Sequence, residues 1–447
     1  MIEPQTAPAT GFPIETTIRD ALYDRIPLGR SDIALIGTPA FMRLERIKQL
    51  GFVSRVWPGA RHTRFEHSLG VMHLTRMAID HLRGSSEGQW LTDGDARVAV
   101  AAALLHDIGH YPFSHAIEEL GEPILPHERA GRIIIEGPEI APILEESWGV
   151  DPRRVGAMVD PGGDDLPPAD RLLRGILSGA LDMDKLDYLP RDARACNVPY
   201  GGVDTTRLID ALTIARIEGP GSDDLRIAIG EKGISPLHSL INARQEMFDN
   251  VYWHHTNRAC MVMLLRATQE ALIAGALRPD ELLGHDDVSL LALLSAEAMP
   301  AATRRLAQSL RDRRIHKRAV EIGSRAFELY ARLGNLFFDP IARRNVEISL
   351  ANALSAEIGV SAPSDAVLID IPKPERWRSD VWVTFDQPPV GFTPLMPWRD
   401  VVGLTDEDFK RYEEHRRLIR IVAAEPYRDA LAASWEKLLL PLLGAAI

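Results

Sequence analysis

The chain has 447 residues, 45% hydrophobic and 26% charged, with 33 Gly and 31 Pro, which excludes a disordered chain, a collagen and a long coiled coil. At roughly 150 residues per domain, the length suits about three domains, or one large helical body with an appendage. The formal net charge of −12, from 51 basic and 63 acidic residues, disfavours non-specific nucleic-acid binding, which feeds on positive surface.

Residues 1–17 read as a loose polar tail with Pro4, Pro8 and Pro13. They lack a basic stretch followed by an apolar one, so no signal peptide is expected. The segment 38–50 has apolar residues near helical spacing, with Thr38 as cap and Pro39 in the first turn. His67–Leu82 and Arg97–Asp107 read as helices. The second is apolar all round, the mark of a buried helix; its run Val98–Leu105 is eight residues, far short of the ~20 that span a bilayer. Ser114–Leu120 and His127–Ile135 read as further helices, Leu166–Leu189 as helical around its middle, and Ser235–Ala274 as one long helical stretch. Residues 287–357 are expected to be helical and carry a basic cluster from Arg304 to Arg318. Segments 366–372 and 380–385 read as strands, and 405–442 as closing helices. The expectation is a mainly α protein: tail 1–17, helical body 18–286 and a smaller α+β C-terminal region 287–447. Cys196 and Cys260 are the only cysteines, which argues against a disulfide framework and suits a reducing cytoplasm.

Histidine is the strongest signal. Eight of the 14 (His62, His67, His73, His81, His106, His110, His115, His127) fall between residues 62 and 127, where an even spread would place about two. Histidine is the commonest metal ligand and a frequent proton-transfer group. His106-Asp107 ends the buried apolar helix, and burying an adjacent imidazole and carboxylate needs compensation. A divalent metal would supply it; so would ordinary core hydrogen bonds. His110 stands four residues on. His67 alone would be unremarkable, and LDMDKLDY (181–188) followed by Arg191-Asp192 reads equally as a solvated acidic helix face.

Together these segments resemble the HD-domain phosphohydrolases, whose pattern is a first His, a His-Asp doublet and a distant Asp around one metal. Residue by residue these are His67, His106, Asp107 and Asp184. The surrounding text (TPAFMRLERIKQLG, PGARHTRFEHSLGV, LLHDIGHYPFSH, His127-Glu128 and LDMDKLDYLPRD) is similar, within that superfamily, to the deoxynucleoside triphosphate triphosphohydrolases. The likeness runs from about residue 20 to about 430, dense before 200 and thinner after, and no SAM domain is expected ahead of it. The resemblance implies hydrolysis of dNTPs to deoxynucleoside and triphosphate. It implies a divalent transition metal (Fe, Mn, Zn or Ni) on His67, His106, Asp107 and Asp184, with room for additional Mg. His115 would be the acid for the leaving oxygen, His110 and His127 would line the triphosphate, and Glu118 would orient a histidine. Arg64 and Lys185 would meet phosphate charge, and Arg244 would lie on the substrate-binding helix. Gln49, Leu50, Tyr188, Asp192 and Tyr252 would surround sugar and base. Where the family has a guanine-specific activator pocket built from an acid, an amide and an arginine, this chain has Gly37, Met42 and Glu45, so that type of activation is not expected. Further implied are a homo-oligomer of two or more copies and no membrane, with nucleic acid not favoured. The alternatives are the same core acting as a nucleotide monophosphatase, phosphodiesterase or single-stranded DNA nuclease, or a non-catalytic nucleotide sensor.

Overall fold

The computed structural model describes residues 10–163, 165–217, 224–373, 380–405, 407–408 and 417–444. The chain is mainly helical. A hairpin of β1 (Ile14–Asp20) and β2 (Asp24–Gly29) opens it. The tail expected over 1–17 is therefore shorter, and residues 1–9 lie outside the described residues. After α1 (Arg30–Ile36), α2 (Pro39–Met42) starts where Thr38 and Pro39 predict, with Thr38 Oγ1 accepting the Phe41 N–H at 3.3 Å. It tightens into a 3₁₀ turn at Arg43–Arg46 instead of running to Leu50, which lets both Leu44 and Ile47 reach the core.

α3 (Arg64–Arg83) begins where Glu66 Oε2 accepts the Thr63 N–H at 2.8 Å, and α4 (Asp93–Leu105) begins at a reciprocal Thr92–Asp95 cap. Val98–Leu105 is wholly buried, as its all-round apolar pattern requires, because α3, α7 (Pro152–Val159) and α8 (Pro168–Leu177) wrap it. Between them come α5 (His127–Ile135) and the single turn α6 (Ala141–Ile143). The helix expected across Leu166–Leu189 is split in its middle, not continuous there. Ser178–Asp182 leaves helical geometry, and Asp182 caps α9 (Met183–Cys196) by accepting the Lys185 N–H at 2.8 Å. After α10 (Thr205–Asp210) an unforeseen antiparallel pair follows, β3 (Leu212–Ile217) and β4 (Asp224–Gly230). The long span Ser235–Ala274 is likewise two helices, α11 (Ile234–Met247) and α12 (His255–Ile273), divided by a π turn at Phe248–Tyr252.

The C-terminal region holds α13 (Asp287–Leu294), α14 (Ala301–Arg311), β5 (Lys317–Ile322), α15 (Phe327–Asn335), α16 (Pro340–Ile358), β6 (Val367–Asp370), β7 (Trp382–Thr384), β8 (Leu395–Pro397), α17 (Trp398–Val401), β9 (Ile419–Ala423) and α18 (Glu425–Gly444). The two expected strands are present. β5 interrupts the helices expected over 287–357, and β9 those expected over 405–442. Both pair in a three-stranded sheet ordered β5-β9-β6, with β9 buried at every residue in the middle. β7 and β8 instead extend the β3-β4 pair, β4 and β7 running parallel, so the sheet crosses the boundary at 286. The basic cluster disperses into separate contacts: Arg305 pairs with Asp365, Arg314 with Asp312 and Arg318 with Glu321. Among the described residues no helix is long and apolar enough to cross a membrane.

Candidate active site

α3 packs along α4 and crosses α9, and those three helices carry their ionisable groups to one point. His67 lies in the first turn of α3, His106 and Asp107 follow the last turn of α4, and Asp184 lies in the first turn of α9. His67 Nε2 is 3.0 Å from Asp184 Oδ1 and 3.7 Å from Asp107 Oδ2; His106 Nε2 is 3.3 Å from Asp107 Oδ1 and 3.9 Å from Asp184 Oδ1. The His106 Nδ1–H donates to the Ala103 carbonyl at 2.8 Å, which leaves Nε2 as the lone-pair nitrogen. That Nε2 is buried without a hydrogen-bond partner. A lone pair facing two carboxylates is unfavourable unless a cation lies between them, so these four residues fit a divalent metal, and mixed N/O donors suit a transition ion.

Neighbouring side chains hold the four in place. Asp187 accepts the His67 Nδ1–H at 2.8 Å and is itself held by Arg191 and by the Tyr23 hydroxyl at 2.8 Å, the arrangement that orients metal-binding histidines. Arg64, buried, donates to Asp107 Oδ2 at 2.5 Å and to Ser114 Oγ at 3.1 Å. Burial opposes ionisation of Asp107, but the Arg64 guanidinium holds its carboxyl well below the usual range. Burial alone would also lower the His67 imidazole. Its hydrogen bonds to Asp184 and Asp187 outweigh that and push it up to about 10, so the vicinity draws positive charge.

A second group adjoins the first through Asp107, whose Oδ1 lies 3.1 Å from His110 Nδ1. His110, His115, Glu118 and His127 each place a nitrogen or oxygen within 4.8 Å of the others. The His110 and His127 rings are 3.7 Å apart, the His115 and His127 rings 5.1 Å. This closeness depends on Gly109, where a Cβ would fall 2.1 Å from the His127 carbonyl and 2.2 Å from the Gly131 nitrogen. His115 is set by two successive left-handed residues, Phe113 and Ser114, both at φ 61°; Asp287 fixes them by accepting the Phe113 N–H at 2.7 Å. Arg43 clamps the other side of the turn, donating to the Ile108 and His110 carbonyls at 3.0 and 2.9 Å. His127 donates to Glu118 at 3.0 Å. Burial opposes both charges, yet Glu118 is held far below the usual carboxylate range by His115 and His127, and His127 is raised by Glu118. His110 is pushed well down, first by burial and then by Arg64. His115 keeps its side chain 63% exposed.

A cavity of about 880 Å³ is lined by Gln49, Leu50, His115, Glu118, His127 and Tyr252. Asp192 accepts from the Tyr252 hydroxyl at 2.6 Å and lies 2.7 Å from His62 Nε2. Tyr188 stands between His67 and Tyr252, each ring 6.4 Å away. Lys185 and Arg244 line a different cavity. Arg64 is committed to Asp107 and Ser114. Sequence reasoning passes over Tyr23, Arg43, His62, Asp187, Arg191 and Asp287 as site residues. Only Asp187 has a usable signal: it lies three residues after Asp184 and four before Arg191, on one helix face.

Residues 64–167 match the HD domain and residues 203–387 the HD-associated region. An uncharacterized protein of Methanocaldococcus jannaschii is 32% identical over 62% of this chain and 54% of its own length, and the Bacillus subtilis protein YwfO 36% identical over 53% and 51%. The human deoxynucleoside triphosphate triphosphohydrolase SAMHD1 is 28% identical over 57% of this chain and 44% of its own. The chain thus spans about half the length of the curated relatives it matches. The crystal structure of a hypothetical protein from Aquifex aeolicus shares the fold, with a TM-score of 0.69 over 94% of this chain and 99% of that one at 24% identity. The chain thus carries an HD domain with the HD-associated region behind it, and three of the four metal-fitting residues, His67, His106 and Asp107, lie inside the HD match.

Proposed function

We propose that the chain hydrolyses dNTPs to deoxynucleoside and inorganic triphosphate. The observation that supports this reading is the contact of two groups at Asp107: His67, His106 and Asp184, close enough to share a cation with Asp107 at their side, and beside them three histidines and a glutamate suited to phosphate binding and proton transfer. The name of the human relative points the same way.

His67, His106, Asp107 and Asp184 would hold the metal, which when bound polarises a phosphoryl oxygen and lowers the pKa of its water. His127, kept cationic by Glu118, and neutral His110 donate N–H groups to phosphate oxygens. His115, the exposed member, gives a proton to the departing 5′-oxygen. Arg64 acts on charge through Asp107, and Lys185 on α9 and Arg244 on α11 would meet phosphate charge from the side of the second cavity. Asp192 already receives Tyr252 and His62, but each carboxylate oxygen has two lone pairs, so it can still accept a 3′-hydroxyl. Gln49, Leu50 and Tyr188 pack around the sugar.

The test is incubation of purified protein with Mn, Fe or Mg and each dNTP, singly and mixed, with products resolved by chromatography. Equal release of deoxynucleoside and triphosphate is expected. Orthophosphate alone would make the enzyme a monophosphatase, and no product from metal-loaded protein would overturn the reading. His106→Ala/Asp107→Ala should lose both bound metal and all turnover; full activity in that variant would sink the site.

A further inference from the structure

His62 lies in the segment that leads into α3, and it meets the sugar end of the proposed site at two points. Its carbonyl accepts the Gln49 N–H at 3.0 Å, beside the bridge that pairs Thr63 with Lys48. Its ring places Nε2 2.7 Å from Asp192 Oδ1. The side chain is 9% exposed and that of Asp192 1%. The other ring nitrogen, Nδ1, is buried and makes no hydrogen bond among the described residues. An unpaired ring nitrogen in the interior costs free energy, and an apolar side chain of similar shape would avoid that cost. What the imidazole gains in return is its one polar side-chain contact, the one to Asp192.

The last torsion of an aspartate is broad, so the plane of its carboxylate is set by its partners. Asp192 has donors on both oxygens: His62 Nε2 at Oδ1 and the Tyr252 hydroxyl at Oδ2, 2.6 Å away. Burial and the Asp192 charge push the Tyr252 phenol well up, so it stays a donor. Two donors on two different oxygens fix the plane; one alone leaves it free to turn. We propose that His62 is the positioning residue of the sugar end. Its Nε2–H fixes the plane in which Asp192 presents its remaining lone pairs to a 3′-hydroxyl, and its carbonyl holds the segment that carries Gln49. The contact stands on the geometry; what the carboxylate is aimed at rests on the dNTP reading. His62 acts through Asp192 and transfers no proton.

The test compares dATP with 2′,3′-dideoxyadenosine triphosphate in the wild-type, His62→Gln and His62→Ala proteins, at equal bound Mn. In the wild type, loss of the 3′-hydroxyl removes one hydrogen bond to a carboxylate and should lower kcat/KM about 10–100-fold. Glutamine carries an amide N–H close to the position of Nε2, so His62→Gln should keep most of that ratio. In His62→Ala the ratio should collapse towards one, through a lower kcat/KM for dATP with that for the dideoxy compound little changed. A general loss of packing would lower both substrates together and leave the ratio where it was. An unchanged ratio in His62→Ala, or an equal fall in both variants, would overturn the assignment. A second readout needs no turnover. In a crystal structure of His62→Ala the Asp192 carboxylate should rotate out of its wild-type plane, and an unmoved carboxylate would overturn the positioning role. Failure of the wild type to release triphosphate from dATP would sink the dNTP reading, and the crystal structure would still decide whether His62 sets Asp192.

Discussion

Glu118 separates two histidines by charge. It binds His127 at 3.0 Å and lies 3.8 Å from His115 Nδ1, while His110, under burial and Arg64, stays neutral. With His110 pushed well down and His127 pushed up, two rings in contact can serve phosphate oxygens without both carrying charge. Glu118→Gln removes the charge that raises His127, leaving burial to lower it. The basic limb of the kcat/KM profile should then move to lower pH; an unmoved limb would mean that the pair is only structural. The pair also sets a stability window. Glu118 is depressed when folded, so its contribution exists above the unfolded value of about 4.3 and is lost as pH falls through the folded one. His127 is raised, so its contribution is full below about 6.5 and is lost as pH rises through the folded value. The wild-type advantage over Glu118→Gln in melting temperature should therefore peak between about pH 4.3 and 6.5. His115→Ala should retain metal and lose about 10²–10⁴-fold in kcat. A raised KM alone would limit His115 to binding.

At the level of elements, the metal centre depends on how closely α9 approaches α3. That approach is made at Gly70, where a Cβ would lie 1.9 Å from Asp187 Oδ1 and 2.6 Å from Arg191 Nη2. Gly70→Ala must push Asp187 off His67. It should destabilise the fold by about 1–3 kcal/mol through overpacking and weaken metal binding about 10–100-fold through the lost histidine partner. Unchanged melting and unchanged metal affinity together would show that α9 can shift freely. His106 and Asp107 are legible in the sequence because histidines crowd one stretch and because a His-Asp doublet at the end of an apolar helix is costly to bury without a compensating charge, whereas His67 and Asp184 are singled out only by the family resemblance. Their supports are not legible. Asp187 is one acid among several in its segment, and Asp287 acts by accepting one backbone N–H from a turn more than 170 residues away. A sequence pattern records residue type along one helix; it does not record which distant backbone group is left without a partner.

Across the whole molecule, the same limit decides which strands can be read. β6 and β7 are legible as short β-branched runs. β9 (IRIVA) is not, because it is five residues with a charge, Arg420, at its second position, too short and too mixed for its period to be told from that of a helix. The β9-β6 pairing matters because it carries Asp370 to the Arg258 side chain on α12. Arg258 on α12 donates to Asp370 at 2.6 Å and to Glu119 at 2.9 Å, with its guanidinium 4.2 Å over the Trp253 ring. Glu119 lies in the turn that carries His115 and Glu118. One buried arginine thus ties the C-terminal sheet to the turn that carries His115 and Glu118. Arg258→Met roughly keeps the volume, strips Glu119 of its partner and leaves buried Asp370 with only Arg420, 3.9 Å away. It should lower stability by about 3–5 kcal/mol in denaturant unfolding, and reduce kcat under conditions where the variant is still folded, since the 114–120 turn loses an anchor. Adding Glu119→Gln and Asp370→Asn removes the stranded charges and should restore much of the stability without restoring kcat. Recovery of both would show that Arg258 acts through charge balance alone; recovery of neither would show that the stacking on Trp253 matters more than the carboxylates.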